Sequence, residues 1–452
     1  MNGAVALPLD LTELTFTASG DSLVRRTVLP SGVRILSEAV PGARSATIGY
    51  WVAVGSRDEH PETYGSTHFL EHLLFKGTPT RSALDIAVSF DAVGGEHNAL
   101  TSKEYTCYYA KVQDRDLPMA VDVLADMFTS SLLEATEFEN ERGVILEELA
   151  MADDDPSDVA SERFFEAVLG EHPLGRPIGG NPGTIQAVTR DAVWSHYREN
   201  YRAQDLVITV AGAVDHDELV LAVTAALTRA GWDLGVLADP IGRRDPGAVT
   251  IDRGSPLVVV QRPIEQANLI LGVPGIAAAD DRRPTLTVLN SILGGGMSSR
   301  LFQEVREKRG LAYSVYSFAA SYSDAGLFGL YAGCSPAKAP QVAELMLGEF
   351  ARLGSDGVSQ EELERAVGQL SGSSALALED SDTRMSRLGR AELTLGEFAD
   401  LDETLRRLSL VTVDGVRELA AELAARPLSI AAVGTLGDSA LDALTVAPAA
   451  TP

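Results

Sequence analysis

The sequence predicts an α+β protein of two similar halves, each a mixed or antiparallel sheet packed with helices. Three observations carry this. The order of strands and helices begins again after a stretch at 237–247 that holds Pro240, Gly242 and Pro246. Short matches recur at nearly the same offset, Tyr109-Ala110 with Tyr331-Ala332 and Glu141-Arg142 with Glu364-Arg365. A chain of 452 residues is also too long for one ordinary core. The halves are read as 1–236 and 248–452, with 237–247 as the linker.

In the first half, 24–29, 33–39 and 46–54 read as strands enriched in β-branched residues, the first two parted by a turn at Pro30-Ser31-Gly32. A short amphipathic helix follows at 67–76, where no Pro or Gly interrupts. A second helix at 82–93 ends at Gly94-Gly95. The alternating, aromatic stretch 96–112 reads as two strands or one bent hairpin. Met119, Val123, Leu124 and Met127 give 117–131 helical spacing, and 136–152 is a helix opened by acidic residues as the macrodipole favours. A strand at 206–214 closes this half. In the second half, strands at 257–262 and 267–273 precede a helix at 284–293. Strands at 313–318 and 326–333, helices at 342–353 and 360–370, and a last strand at 428–433 complete it.

The first helix carries His68-Phe69-Leu70-Glu71-His72. On a helix His68 and His72 are i and i+4, so both imidazoles leave one face, as half of a tetrahedral zinc site requires. Glu71 lies beside them, close enough to take a proton from a metal-activated water without being a ligand. The order His-x-x-Glu-His is the inverse of the commoner His-Glu-x-x-His and is known as the inverzincin signature. A polar trio set between apolar residues needs a purpose, because unpaired burial of charge is costly. Aligning the halves puts Thr287, Asn290 and Ser291 opposite His68, Glu71 and His72, and none of those is a good ligand or base. All seven histidines lie at or before His216, so one zinc per chain is expected.

A catalytic zinc takes three protein ligands and keeps an open position. The acidic helix 136–152 is the candidate source of the third. Glu141 and Glu148, seven apart, share a face, while Glu147 points roughly 100° away. Between Glu147 and Glu148 the spacing alone leaves a choice.

Composition narrows the partners. A formal net charge of −27 disfavours nucleic acid and anionic membranes. Cys107 and Cys334, the two cysteines, fit a reducing compartment. No leader-like start and no apolar run of spanning length is read, so a cytoplasmic protein is expected. Residues 447–452 read as a frayed tail.

With these motifs in place, the chain from about residue 24 to about 434 resembles the pitrilysin and insulinase group of zinc peptidases. Within it the mitochondrial processing peptidase and its bacterial homologues look nearest. The resemblance implies zinc held by His68, His72 and Glu148, the last in Val144-Ile145-Leu146-Glu147-Glu148, with Glu141 as a supporting glutamate. Gly94-Gly95-Glu96-His97-Asn98-Ala99-Leu100-Thr101 is similar to the segment leading into the family's substrate-pairing edge strand, which assigns Asn98 and Ala99 to substrate binding. His97 departs from the pattern and is read as surface or substrate-facing.

In the second half, Gly294-Gly295-Gly296 suggests a phosphate loop, but the Gly-Lys-Ser/Thr ending is missing. The family instead has an Arg and a Tyr seven apart that hold substrate and intermediate, and Arg306 and Tyr313 match. The resemblance therefore implies a zinc-dependent metalloendopeptidase whose two halves face each other around a chamber. Unfolded peptides are the implied substrate and a homodimer the implied assembly. The alternative it carries is a non-catalytic scaffold or partner subunit, and that reading sits poorly with a chain retaining His68, Glu71, His72 and Glu148.

Overall fold

The computed structural model describes residues 3–437 and 440–445, and the tail read at 447–452 lies outside them. Each compact unit is built on one sheet. The first has seven strands: β1 (Glu13–Thr17), β2 (Leu23–Val28), β3 (Arg34–Ala39), β4 (Ser45–Val52), β5 (Glu96–Thr101), β6 (Thr106–Gln113) and β7 (Val207–Gly212), in the order β1-β2-β3-β7-β4-β6-β5. The second has five: β8 (Leu257–Gln261), β9 (Ala267–Pro274), β10 (Ala312–Ser321), β11 (Gly326–Cys334) and β12 (Ser429–Gly434), in the order β10-β11-β9-β12-β8. Both sheets are mixed, as predicted. β3 runs parallel to β7, and β12 parallel to β8, while the other pairings are antiparallel.

The pattern of burial explains why these segments are strands. In β4 and β7 nearly every residue is buried, so both faces of the sheet are covered, and a run rich in β-branched and aromatic residues meets that demand. β5 lies at the sheet edge and pairs with β6 alone, with Glu96 opposite Lys111. Its alternation of exposed and half-buried residues reflects that position.

One face of the first sheet is covered by helices from between its strands in the chain: α1 (Ser66–Leu74), α2 (Ala83–Asp91), α3 (Leu117–Ser130) and α4 (Ala135–Asp154). Phe69, Leu70, Leu73 and Leu74 of α1 and Phe128 of α3 enter the same core as Ile35, Ile48 and Tyr50. α2 begins with a capping box, in which Ser82 Oγ accepts from Asp85 N and the Asp85 carboxylate accepts from Ser82 N.

The compact units are discontinuous, whereas the sequence reading divides the chain once, at 237–247. The first comprises Met1–Leu149, Pro177–Arg244 and Ser374–Thr404, and the second Ala150–Arg176, Asp245–Ser373 and Leu405–Pro452. The exchanged segments supply the outer cover of each sheet. A helix from the later part of the chain, Ser381–Arg390, lies on the first sheet, where Met385 joins Leu36, Trp51 and Cys107. The backbone of Gly389 lies against the Trp51 indole, and a Cβ there would stand 2.5 Å from the ring. α5 (Pro156–Leu169), from the earlier part of the chain, lies on the second sheet, with Phe164 packed among Ile270, Leu327 and Val433.

Buried ion pairs hold the first of these helices in place. Glu38, fully buried on β3, pairs with Arg384 and with Arg387 at 3.0 Å. Glu392, one turn further on, takes Arg26 at 3.3 Å, Arg34 at 3.5 Å and Arg243 at 3.3 Å. Loss of one partner in such a set leaves the other charged and desolvated, so these contacts select one docking position.

β1 and the helix Ser381–Arg390 fall outside the sequence reading. β1 alternates Leu14 and Phe16 with polar residues but is only five residues long and buries only Phe16, and the helix buries only Met385, Leu388 and Gly389 amid polar residues, so each carries a short apolar signal. Among the described residues, no helix is long and apolar enough to cross a membrane.

Candidate metal centre

α1 has no side-chain cap of its own, because Gly65 stands at its start. That glycine is required: its φ is +93°, and a Cβ would meet Ile185 Cδ1 at 2.5 Å and Gly179 O at 2.8 Å. The cap comes from outside. The buried Glu59 carboxylate accepts from Gly65 N at 2.8 Å and Thr67 N at 2.6 Å, placing negative charge at the positive end of the helix dipole.

α4 is drawn against α1 by aromatic packing. Phe69 stacks on Phe138 with centroids 4.4 Å apart and planes 10° from parallel, and the Arg142 guanidinium lies 4.9 Å from the Phe138 centroid. Phe138, Glu141 and Ile145 are the buried residues of α4, an i, i+3, i+7 stripe facing inward. Glu148 is the next member of that stripe and Glu147 is not, which is why the two neighbours differ.

Across this helix pair the predicted ligands converge. Donor atoms of His68, His72 and Glu148 lie within 4.8 Å of one another, the one such group among the described residues. The two imidazoles meet edge to face with centroids 4.8 Å apart. Glu148 Oε2 stands 3.4 Å from His72 Nε2 and 3.8 Å from His68 Nε2. Around a tetrahedral zinc with bonds of about 2.0–2.1 Å, neighbouring donor atoms stand about 3.3–3.4 Å apart. The two-imidazole, one-carboxylate donor set fits zinc; the His72–Glu148 separation of 3.4 Å matches that spacing, and the His68–Glu148 separation of 3.8 Å is wider than it. Burial, helped by the neighbouring His72, pushes the His68 pKa down to about 4, which keeps the ring neutral and its lone pair available.

The surrounding contacts fix these groups. His72 Nδ1–H donates to Glu141 Oε2 at 3.0 Å, so Nε2 is the nitrogen left for a ligand. Glu141 is buried, and its other oxygen pairs with Lys76 Nζ at 2.6 Å. Glu71 Oε2 accepts a short hydrogen bond from Thr101 Oγ1, the last residue of β5. Burial raises the Glu71 pKa above its ordinary value, against that hydrogen bond and the nearby His72, which both lower it.

The other predicted residues are placed as follows. Asn98 and Ala99 lie in β5, with Asn98 exposed and its side-chain oxygen accepting from Ala99 N at 2.8 Å. Thr101 ties the end of that edge strand to Glu71. His97 is half-buried, its ring stacked on Phe90 with centroids 4.4 Å apart. In the second unit, Arg306 lies in a π-helical turn, Phe302–Glu307. Its guanidinium is held by two rings, 4.6 Å from the Phe302 centroid and 4.3 Å from that of Tyr313. Tyr313 is 77% exposed.

At the positions of the second half that align with Glu71 and His72, the polar groups bond to their own neighbours. Asn290 Oδ1 accepts from Ser317 Oγ at 2.7 Å, and Ser291 Oγ donates to Gln369 at 3.4 Å. The triple glycine serves packing, since a Cβ on Gly294 would stand 2.2 Å from Ser317 N. Glu59, Thr101 and Lys76 were not anticipated from the sequence. A helix beginning at Gly after a run holding an acidic residue is the signal that would have suggested Glu59.

A family model described as Insulinase (Peptidase family M16) matches residues 34–182, and one described as Peptidase M16 inactive domain matches residues 187–370. The chain is 49% identical over 419 residues, 93% of its length and 91% of the relative's, to an uncharacterized zinc protease of Streptomyces coelicolor. Among solved structures it is similar to a peptidase M16 inactive domain from Pseudomonas fluorescens, with a TM-score of 0.80 at 19% identity, covering 94% of this chain and 98% of that one. It is also similar to a protease from Helicobacter pylori, with a TM-score of 0.79 at 22% identity, covering 93% of this chain and 100% of that one.

Proposed function

The chain belongs to peptidase family M16, the insulinase family, and from that premise we propose that it is a zinc-dependent endopeptidase acting on unfolded peptides bound as an extended strand. The observation that carries this reading is the convergence of His68, His72 and Glu148 beside Glu71. Its rival, a non-catalytic partner subunit, leaves that convergence without a purpose.

His68, His72 and Glu148 would hold the zinc, which when bound would supply Lewis acidity to the scissile carbonyl and to a water. Glu71 is the general base. Thr101 occupies one of its oxygens, orienting the carboxylate, and burial raises its pKa; its role is to take a proton and return it to the leaving amine. The free edge of β5 offers the peptide a row of main-chain hydrogen bonds near Asn98 and Ala99.

The test is metal analysis paired with hydrolysis of an unstructured peptide library. One zinc per chain is expected, with activity abolished by a chelator and restored by zinc. Two equivalents, or activity in a metal-free preparation, sinks the reading.

Arg306 and Tyr313 are assigned to the substrate's main chain and the developing oxyanion. The guanidinium offers a planar fork of donors and Tyr313 one hydroxyl. Loss of a single such donor costs on the order of 2.7–4 kcal/mol in well-studied cases, so Arg306→Ala and Tyr313→Phe should each lower kcat/KM roughly 100-fold. Zinc content should not change. Near wild-type kcat/KM in both variants removes them from the site.

A further inference from the structure

We propose that Lys76 is a positioning residue that sets the strength of zinc binding at His72 by acting through Glu141. This inference rests on the zinc reading above. The geometry is a relay of three side chains. Lys76 lies four residues after His72, just past the end of α1, so its side chain rises near that of His72. Glu141 bridges the two from α4, with Oε1 at 2.6 Å from Lys76 Nζ and Oε2 at 3.0 Å from His72 Nδ1.

Each contact has a consequence for the metal. The bond from His72 Nδ1–H fixes the tautomer and the ring's orientation, leaving Nε2, 3.4 Å from Glu148 Oε2, with its lone pair free for a metal. That bond is only as well placed as the carboxylate that accepts it. Glu141 is buried, and Lys76 is the partner of its second oxygen, so the ammonium holds the carboxylate plane in the attitude that serves His72.

The position of Lys76 also matters electrostatically. Glu71, Glu141 and Glu148 gather around His72, in a chain of net charge −27. The Lys76 ammonium pairs with Glu141, one member of that group. An ordinary exposed ion pair contributes little to anything. This one is different because its acidic partner is buried and hydrogen-bonded to a ligand.

The experiment is a zinc competition titration against a chromophoric chelator, on the full chain. It compares wild type, Lys76→Met, Lys76→Gln, Lys76→Arg, Glu141→Gln and the Lys76→Met/Glu141→Gln double variant. Partners behind a ligand typically change metal affinity about 10–100-fold, and Lys76→Met is expected to weaken zinc binding about 10-fold. Lys76→Gln should behave alike and covers the case in which Lys76→Met folds poorly. Lys76→Arg should recover most of the affinity. In the double variant, Lys76→Met should add nothing to the loss caused by Glu141→Gln, since the path through Glu141 is already cut.

A merely structural lysine does not produce that non-additivity. Unchanged affinity in Lys76→Met and Lys76→Gln, additive losses in the double variant, or failure of Lys76→Arg to recover binding each overturns the role of Lys76 while the zinc reading stands. Wild-type protein that takes up no zinc overturns the zinc reading and this inference with it.

Discussion

Glu71→Gln is expected to retain the zinc and the fold of the wild type while hydrolysing peptides at least about 10²–10⁴-fold more slowly, the usual contribution of a general base. Glu71 lies outside the donor group of His68, His72 and Glu148, so its amide should not disturb metal content. The amide can still take the hydrogen bond from Thr101, so the connection between α1 and β5 survives. What it loses is the ability to accept a proton. Because the substitution is isosteric and leaves the ligands in place, a fall in rate has one interpretation. Rates near wild type with full zinc content would remove Glu71 from the mechanism.

The second large effect separates neighbours on one helix. Glu148→Gln removes a charged ligand, whereas Glu147→Gln alters a residue exposed outside the donor group. Loss of a partner behind a ligand already costs about 10–100-fold in metal affinity, so removal of the ligand itself should reach or exceed the upper figure. Zinc should therefore be lost from Glu148→Gln under mild chelation and kept by Glu147→Gln. The reverse result would mean that α4 is rotated by about 100° from the face described.

Why the neighbours differ was half legible in the sequence. The i, i+4 histidines declare their common face through helical spacing alone, and Glu141 and Glu148 share a face for the same reason. What spacing does not say is which face of α4 turns toward α1. That is decided by Phe138 stacking on Phe69 and by Ile145 entering the core, contacts between segments about 70 residues apart. Thr101 was illegible for a related reason, and for Glu59 the one signal was the helix that begins at Gly65. A carboxylate that caps a helix from six to eight residues upstream, and a hydroxyl at the end of an edge strand, acquire their roles only once loops bring them in.

The duplication was legible because both halves repeat a strand and helix order with matching dipeptides. The discontinuity of the compact units was not. Apolar periodicity reports that a face will be buried, without naming what will bury it. For Ser381–Arg390 even that signal is thin, since arginines paired with buried glutamates take the place of much of the apolar stripe.

The exchanged helices bear on how such a chain can be divided. The linker at 237–247 looks like the natural place to cut a duplicated protein into two independent modules. Yet residues 1–236 alone would expose Trp51 and Leu36 on the outer face of their sheet and leave the Glu38 carboxylate stranded, because their cover arrives with residues 381–392. Residues 248–452 alone would likewise lack Phe164 and the rest of α5. Neither fragment contains the layer that finishes its own sheet. The linker therefore separates two stretches of sequence without separating two foldable bodies. The repeat is that of a gene, and the unit of folding is larger than the unit of repetition.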